Sequence, residues 1–190
     1  MMCTPAWFAI WAGLSMCVPQ FATAQSATPF VAPEFSVPEG LANAEFRLRM
    51  LTVNDVVKDY DAVMSSVGHL RTIFGPGSSW PEGLTLEQNL VDLGWHQKEF
   101  QRRRSFAYTV VDPSGERVLG CVYVNPTAKR GFDAAVYLWA RQSELEKGLE
   151  HRLYEAVQDW VRREWPFRNA AFPGRTIGWD AWNSTPNEKR

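Results

Sequence analysis

Phe106-Ala107-Tyr108-Thr109-Val110-Val111, then Asp112-Pro113-Ser114-Gly115, then Val118-Leu119-Gly120-Cys121-Val122-Tyr123-Val124 is the stretch that decides the fold. Two β-branched and aromatic runs around a Pro-Gly turn predict a β-hairpin. Downstream, Ala134-Ala135-Val136-Tyr137-Leu138-Trp139-Ala140 reads as a further strand. Ser143 to Trp165 then reads as a long amphipathic helix, with Leu145, Leu149, Leu153, Ala156, Val157, Trp160 and Val161 on one face. A short last strand is expected over Asn169 to Phe172, followed by an irregular segment. Upstream, Phe46-Arg47-Leu48-Arg49-Met50-Leu51 alternates apolar with basic residues, the period of a strand with one buried face. Thr52 to Ser65 spaces Val56, Val57, Tyr60, Val63 and Met64 as a helix does, and a second short helix is expected from Gly68 to Phe74. Gly75 to Pro81 breaks regular structure. Thr85-Leu86-Glu87-Gln88 has the form of a capping box, opening a third helix that should reach about Arg104.

The bulk properties narrow the function classes. A chain of 190 residues with 45% hydrophobic content supports one domain with a substantial core. A formal net charge of -1 gives no overall attraction to nucleic acid or to an anionic membrane. Of the three cysteines, Cys3 and Cys17 lie near the start and Cys121 stands alone in the body, so the fold needs no disulfide. Residues 1–24 hold an apolar run from Trp7 to Val18 and end in Ala22-Thr23-Ala24, which reads as a secretory signal cleaved after Ala24. The run is too short for an integral membrane segment. No Lys or Arg precedes it, which leaves a mis-assigned start as the alternative. The chain is then exported, periplasmic or secreted, in the first case and cytoplasmic in the second. Residues 25–44, with Pro29, Pro33, Pro38 and Gly40, are expected to be an extended linker, and residues 45–185 the folded domain.

The order strand, helices, antiparallel hairpin, strand, long helix, strand resembles the GNAT N-acetyltransferase superfamily over roughly residues 45 to 175. Asp55 to Met64, Leu86-Glu87-Gln88-Asn89-Leu90 and Asp92-Leu93-Gly94-Trp95-His96 look like an uncharacterised bacterial GNAT-like group. The resemblance implies an α/β (α+β) fold: a mixed, mostly antiparallel central sheet flanked by helices, with a shortened C-terminus. It also implies acetyl-CoA as co-substrate and acetyl transfer to a primary amine of a small molecule or peptide. In that superfamily the fourth strand pairs with pantetheine, and the loop into the long helix holds the pyrophosphate on its amides. Carried onto this chain, those positions are Leu138, Trp139 and Ala140 on the strand, and Lys147, Gly148 and Leu149 in the loop. Leu145 and Glu150 depart from the family's pattern, and Glu150 puts a carboxylate where a glycine should meet a diphosphate. Ser143-Glu144-Leu145-Glu146 has the form of a second capping box, which would start the helix early and place Gly148 within it.

For proton transfer, Asp133 and Tyr137 lie at or just before the fourth strand and are the candidate catalytic residues. No tyrosine follows Tyr154, so the family's frequent late tyrosine acid has no counterpart. His69, His96 and His151 are not spaced as metal ligands, and no metal is expected. Arg102-Arg103-Arg104 reads as a complement to a helix C-terminus. Trp139 is expected to face a cleft. The alternative to the enzyme is a non-catalytic GNAT-like module that binds a ligand or partner segment, a reading that export would favour.

Overall fold

The computed structural model describes residues 29–188; the proposed leader, residues 1–24, lies outside the described residues. Six strands form one sheet in chain order: β1 (Gly40–Ala42), β2 (Arg47–Met50), β3 (Phe106–Val111), β4 (Val118–Pro126), β5 (Ala134–Ala140) and β6 (Ala170–Ala171). Neighbours pair antiparallel from β1 through β5, and β6 pairs parallel to β5. Helices α1 (Val56–Met64), α2 (Val67–Ile73) and α3 (Leu86–Gln101) separate β2 from β3. Helix α4 (Leu149–Glu164) connects β5 to β6, and α5 (Trp179–Ser184) follows. The α/β reading is thus the observed architecture. No described helix is long and apolar enough to cross a membrane.

Each strand divides its side chains between two cores, as the period of two requires. Phe106, Tyr108, Val122, Val136 and Leu138 meet Leu153, Val157 and Trp160 of α4 on one face. On the other, Cys121, Val111 and Trp139 pack on Ala62, Val63 and Leu70 from α1 and α2, and Leu51 and Ala107 pack on Leu93 of α3. The third helix starts with both halves of its capping box in place: Gln88 N donates to Thr85 Oγ1 at 3.2 Å and Thr85 N donates to Gln88 Oε1 at 2.9 Å.

Two local expectations are overturned. Residues 29–44 do not form a free linker, because they carry β1, and Val31 is 4% exposed in the α4-side core. Arg103 holds this segment down. Its backbone turns left-handed with φ 58°, its carbonyl accepts from Phe30 N at 2.7 Å, and its guanidinium donates to the carbonyls of Ala32 and Phe35 at 2.6 Å each. Similarly, Ser143 does not cap a helix. Residues Gln142–Glu144 form a 3-10 turn, and α4 begins only after Gly148, whose φ of 72° is left-handed. Arg117 draws the cap residue away: it donates to Ser143 Oγ at 2.8 Å and to the neighbouring Glu144 Oε1 at 2.6 Å, which holds the would-be cap hydroxyl in an ion-pair cluster.

The α4-side core centres on Trp160, which is fully buried with its indole edge-on to Tyr108 at 5.2 Å and Trp165 at 5.6 Å. Trp160→Ala is expected to cost about 3–5 kcal/mol, lowering the thermal midpoint by on the order of 10 °C in a chain of this size; calorimetry reads this directly.

Candidate active site

The site is built where β5 and β6 part. They pair only at Ala134 with Ala170 and Ala135 with Ala171. Two residues later Pro173 has no N–H with which to extend a ladder, and Gly174 turns the chain away at φ 77°. A Cβ on Gly174 would lie 2.7 Å from Trp179 Nε1, so the turn is reserved for glycine. Beyond that point one edge of β5 has no strand beside it, and a wedge-shaped cavity of about 190 Å³ opens, bordered by His69, Tyr137, Leu138, Glu150 and Arg175.

The backbone groups on that edge are satisfied by side chains. Ala140 N donates to Glu150 Oε2 at 3.1 Å, and Arg175 donates to Leu138 O at 3.2 Å. The two side chains are also joined to each other, with Arg175 Nη2 2.9 Å from Glu150 Oε1. His69 Nε2 lies 2.5 Å from Glu150 Oε2. Burial pushes the Glu150 carboxyl up, but hydrogen bonds from His69 and Ala140 N–H, with the cation of Arg175, outweigh it and hold the group below the ordinary carboxylate range. One acceptor and one donor held against a strand edge present what the amide of an extended ligand would present there. Glu150 and Arg175 thus fill the strand edge that β6 leaves open.

The loop from β5 into α4 gives the other half of the site. Four of its amides are used within the protein: Gln142 N donates to Ser66 Oγ, Glu144 N to Arg141 O, Leu145 N to Gln142 O, and Gly148 N to Leu145 O. Leu149, Glu150 and His151 then form the first turn of α4, where helix geometry leaves N–H groups without an intrahelical acceptor and the helix dipole favours anions. Lys147 stands beside them, its ammonium exposed and 2.9 Å from Glu144 Oε2. A left-handed glycine, free amides and a lysine suit a diphosphate. The residues present therefore fit the diphosphate of coenzyme A at the helix terminus, while along β5 Glu150 and Arg175 already hold the strand's backbone groups.

A second cavity of about 290 Å³ lies on the face of the sheet that α1 and α3 cover, lined from α1, α3 and strands β4 and β5. Tyr137 borders both cavities. Its ring stacks on Trp179 with centroids 6.4 Å apart, and burial raises its phenol above the ordinary range, so it stays protonated. Asp59 lies in the wall at 3% exposure, accepting from Asn89 Nδ2 at 2.9 Å and from the Cys121 thiol at 3.5 Å. Burial pushes the Asp59 carboxyl up more than these bonds pull it down. His96 sits against Tyr123 with ring centroids 5.3 Å apart, and burial lowers its pKa against the pull of Asp92.

The residues expected from sequence are distributed unevenly over this geometry. Leu138 borders the wedge, Ala140 meets it only through its N–H bond to Glu150, Gly148 and Leu149 form the helix entry, and Tyr137 joins the cavities. Trp139 does not face a cleft: it is fully buried among α1 and α2 residues, and opposite it in β4 stands Cys121. Asp133 is exposed at the far end of β5, where its carboxylate accepts from Arg168 N at 2.8 Å and Asn169 N at 2.9 Å and so guides the chain into β6. Glu150, Arg175, His69, His96 and Asp59 were not singled out as site residues. Only Glu150 left a local trace, as a charge at a position where glycine was expected. Among the described residues no cluster of three or more His, Cys, Asp or Glu could hold a metal.

No protein-family model matches the sequence, and no curated protein does. Solved structures do match. The ribosomal-protein-S5-alanine acetyltransferase from Vibrio fischeri superposes with TM-score 0.51 at 19% identity over 64% of this chain and 66% of that one. The microcin C7 self immunity acetyltransferase MccE, in complex with acetyl-CoA and AMP, gives TM-score 0.52 at 13% identity over 65–70% of each chain, namely 66% and 68%. A ribosomal L7/L12 alpha-N-protein acetyltransferase in complex with coenzyme A gives 0.52 at 16% over 65% and 67%. At these identities the likeness concerns architecture, and with the parted strands and the glycine-led helix it supports one conclusion: this chain has the GNAT N-acetyltransferase fold.

Proposed function

We propose that the protein is an acyl-CoA-dependent N-acyltransferase that acetylates a primary amine. The carrying observation is the parting of β5 and β6, which turns backbone groups of Leu138 and Ala140 toward a wedge that leads to the N-terminus of α4. The fold is shared with structures named as acetyltransferases, two of them holding coenzyme A or acetyl-CoA, which supports the same reading. In this reading Leu138 and Ala140 hold the extended tail of the cofactor, while Lys147, Gly148 and Leu149 take its phosphates. Trp139 contributes only its place in the strand.

The thioester would supply an acyl carbon activated toward attack by an amine. For the chain's own residues, the requirement is a neutral amine and a proton donor for the departing sulfur. His96, kept neutral by its burial, is suited to take the ammonium proton in the second cavity. Tyr137, kept protonated and bordering both cavities, is suited to donate rather than to accept. Asp133 is bound to two backbone amides away from both cavities and is given no proton-transfer role.

Cofactor entry requires release of the Glu150 and Arg175 contacts along β5. Glu150→Gln weakens that closure while leaving His69 and Arg175 to attract an anionic ligand. It is expected to increase the thermal shift produced by millimolar acetyl-CoA, a ligand at 100 times its Kd stabilising by about 2.7 kcal/mol. No shift in either protein, with no acetylated product from an amine panel, would end the enzyme reading.

The same substitution has a signature without cofactor. The folded-state pKa of Glu150 is depressed, so its stabilisation is full above the unfolded value of about 4.3 and is lost as pH falls through the folded pKa. The wild-type advantage in thermal midpoint over Glu150→Gln should therefore shrink below about pH 4.3, as melting curves across pH 3–6 would show.

His96 sets the acid limb of activity. Because its folded pKa is lowered, kcat/KM should fall only at pH below the ordinary histidine value of about 6.5. His96→Gln should remove that limb and lower kcat by about 10²-fold; an unchanged pH profile would release His96 from the role.

A further inference from the structure

The 290 Å³ cavity has a composition that points to its occupant. Phe74, Trp80, Tyr123 and Tyr137 give it an aromatic wall, beside polar Ser78, Asn89 and Asn125. Phe74 meets Trp80 edge-on at 5.2 Å, and meets Tyr123 and Tyr137 at 6.1 Å each, so one ring anchors three others. His96 extends the aromatic wall from Tyr123. Aliphatic Val63, Leu51 and Leu93 complete the apolar surface.

The charge of the lining is one-sided. Asp59 and Asp92 contribute carboxyl groups, and no lysine or arginine lines the cavity. Asp59 is buried and already engaged by Asn89 and Cys121, whereas Asp92 is exposed on α3 and available to a ligand entering from solvent. Ring faces attract cations through their quadrupoles, and a carboxylate beside them adds to the attraction. An anionic ligand would meet neither a cation nor a helix N-terminus here. The volume lies at the low end of small-molecule pockets, which run from roughly 300 to 1,000 Å³. A peptide N-terminus would bring several backbone groups that each need a partner, whereas the lining offers mainly Ser78 and Asn125 beside Asp92, Asn89 being already bonded to Asp59.

We infer that this cavity binds a small primary amine with a compact aromatic or apolar body, its ammonium group balanced by Asp92 and its body enclosed by Phe74, Trp80 and Tyr123. The inference rests on the acyltransferase reading for its role as acceptor site, and on the cavity alone for binding. In the transfer the amine nitrogen forms a bond to the acyl carbon as the carbon–sulfur bond breaks. One ammonium proton passes to His96 before attack and a second leaves the nitrogen to solvent as the amide forms, while Tyr137 protonates the departing sulfur. Tyr137 then regains a proton from solvent and His96 releases one, so that one proton is released per transfer.

Calorimetric titration of the chain, without cofactor, with phenethylamine, 2-phenylethanol and phenylacetate tests the ligand class. Phenethylamine should bind about tenfold or more tightly than the neutral alcohol, a difference of about 1.4 kcal/mol, and phenylacetate should bind more weakly still. Trp80→Ala and Asp92→Asn should each weaken phenethylamine by about tenfold. Asp92 is solvent-exposed, so Asp92→Asn provides the test even if Trp80→Ala unfolds. Equal binding of amine and alcohol, preference for the carboxylate, or no binding of any probe would overturn the inference.

Adding acetyl-CoA separates the two claims. Amine binding that is sensitive to Asp92→Asn, with no acetylated product, would uphold the amine pocket and overturn the acyltransferase reading. Acetylation of phenethylamine unaffected by either variant would uphold the enzyme and overturn the pocket.

Discussion

Backbone polar groups taken out of water must find partners, and in this protein that requirement falls hardest on one strand edge. Where β6 leaves β5 at Pro173 and Gly174, Leu138 and Ala140 would keep unpaired groups inside the molecule. Arg175 and Glu150 answer them, and His69 supports Glu150 in turn. This arrangement ties together α2, β5, the start of α4 and the segment after β6, which are distant in sequence. Loss of the two-residue β5–β6 pairing or of the turn at Gly174 would leave no wedge. Lengthening that pairing would fill the wedge with strand.

The two cavities that meet at Tyr137 differ in chemistry. One is bordered by His69, Arg175 and the Glu150 they hold, near a helix N-terminus; the other presents aromatic faces and carboxyl groups with no lysine or arginine among its described lining residues. Tyr137 is common to both because a strand residue facing α1 and α2 stands beside the point where the sheet opens. A transfer between two bound molecules needs such a meeting point, with each partner held by a different set of forces.

How much of this was legible in the sequence depended on range. The β3–β4 hairpin, β5 and the amphipathic face of α4 follow from local periodicity, and the Thr85 cap forms as its four-residue pattern requires. The fold class follows from their order. The cap pattern at Ser143 failed because Arg117, twenty-six residues away, engages its Ser143 hydroxyl and the neighbouring Glu144. The segment before Gly40 looked unstructured because it has no periodicity, yet Phe30, Val31 and Phe35 pack on a core assembled from other elements. The closure at Glu150 joins partners 81 and 25 residues apart, and no spacing rule reaches that far. His96 looked like an isolated histidine because the Tyr123 ring it packs against comes from β4, outside its own helix.

The clamp formed by Arg103 also sets a limit on where the chain can be shortened. Phe30, Ala32 and Phe35 are fastened to the end of α3 and Val31 is seated in the core, so residues 30–35 belong to the folded body. A proteolytic cut after residue 34 would strip Val31 from the α4-side core and expose apolar surface, giving quality-control proteases a substrate in place of a finished protein.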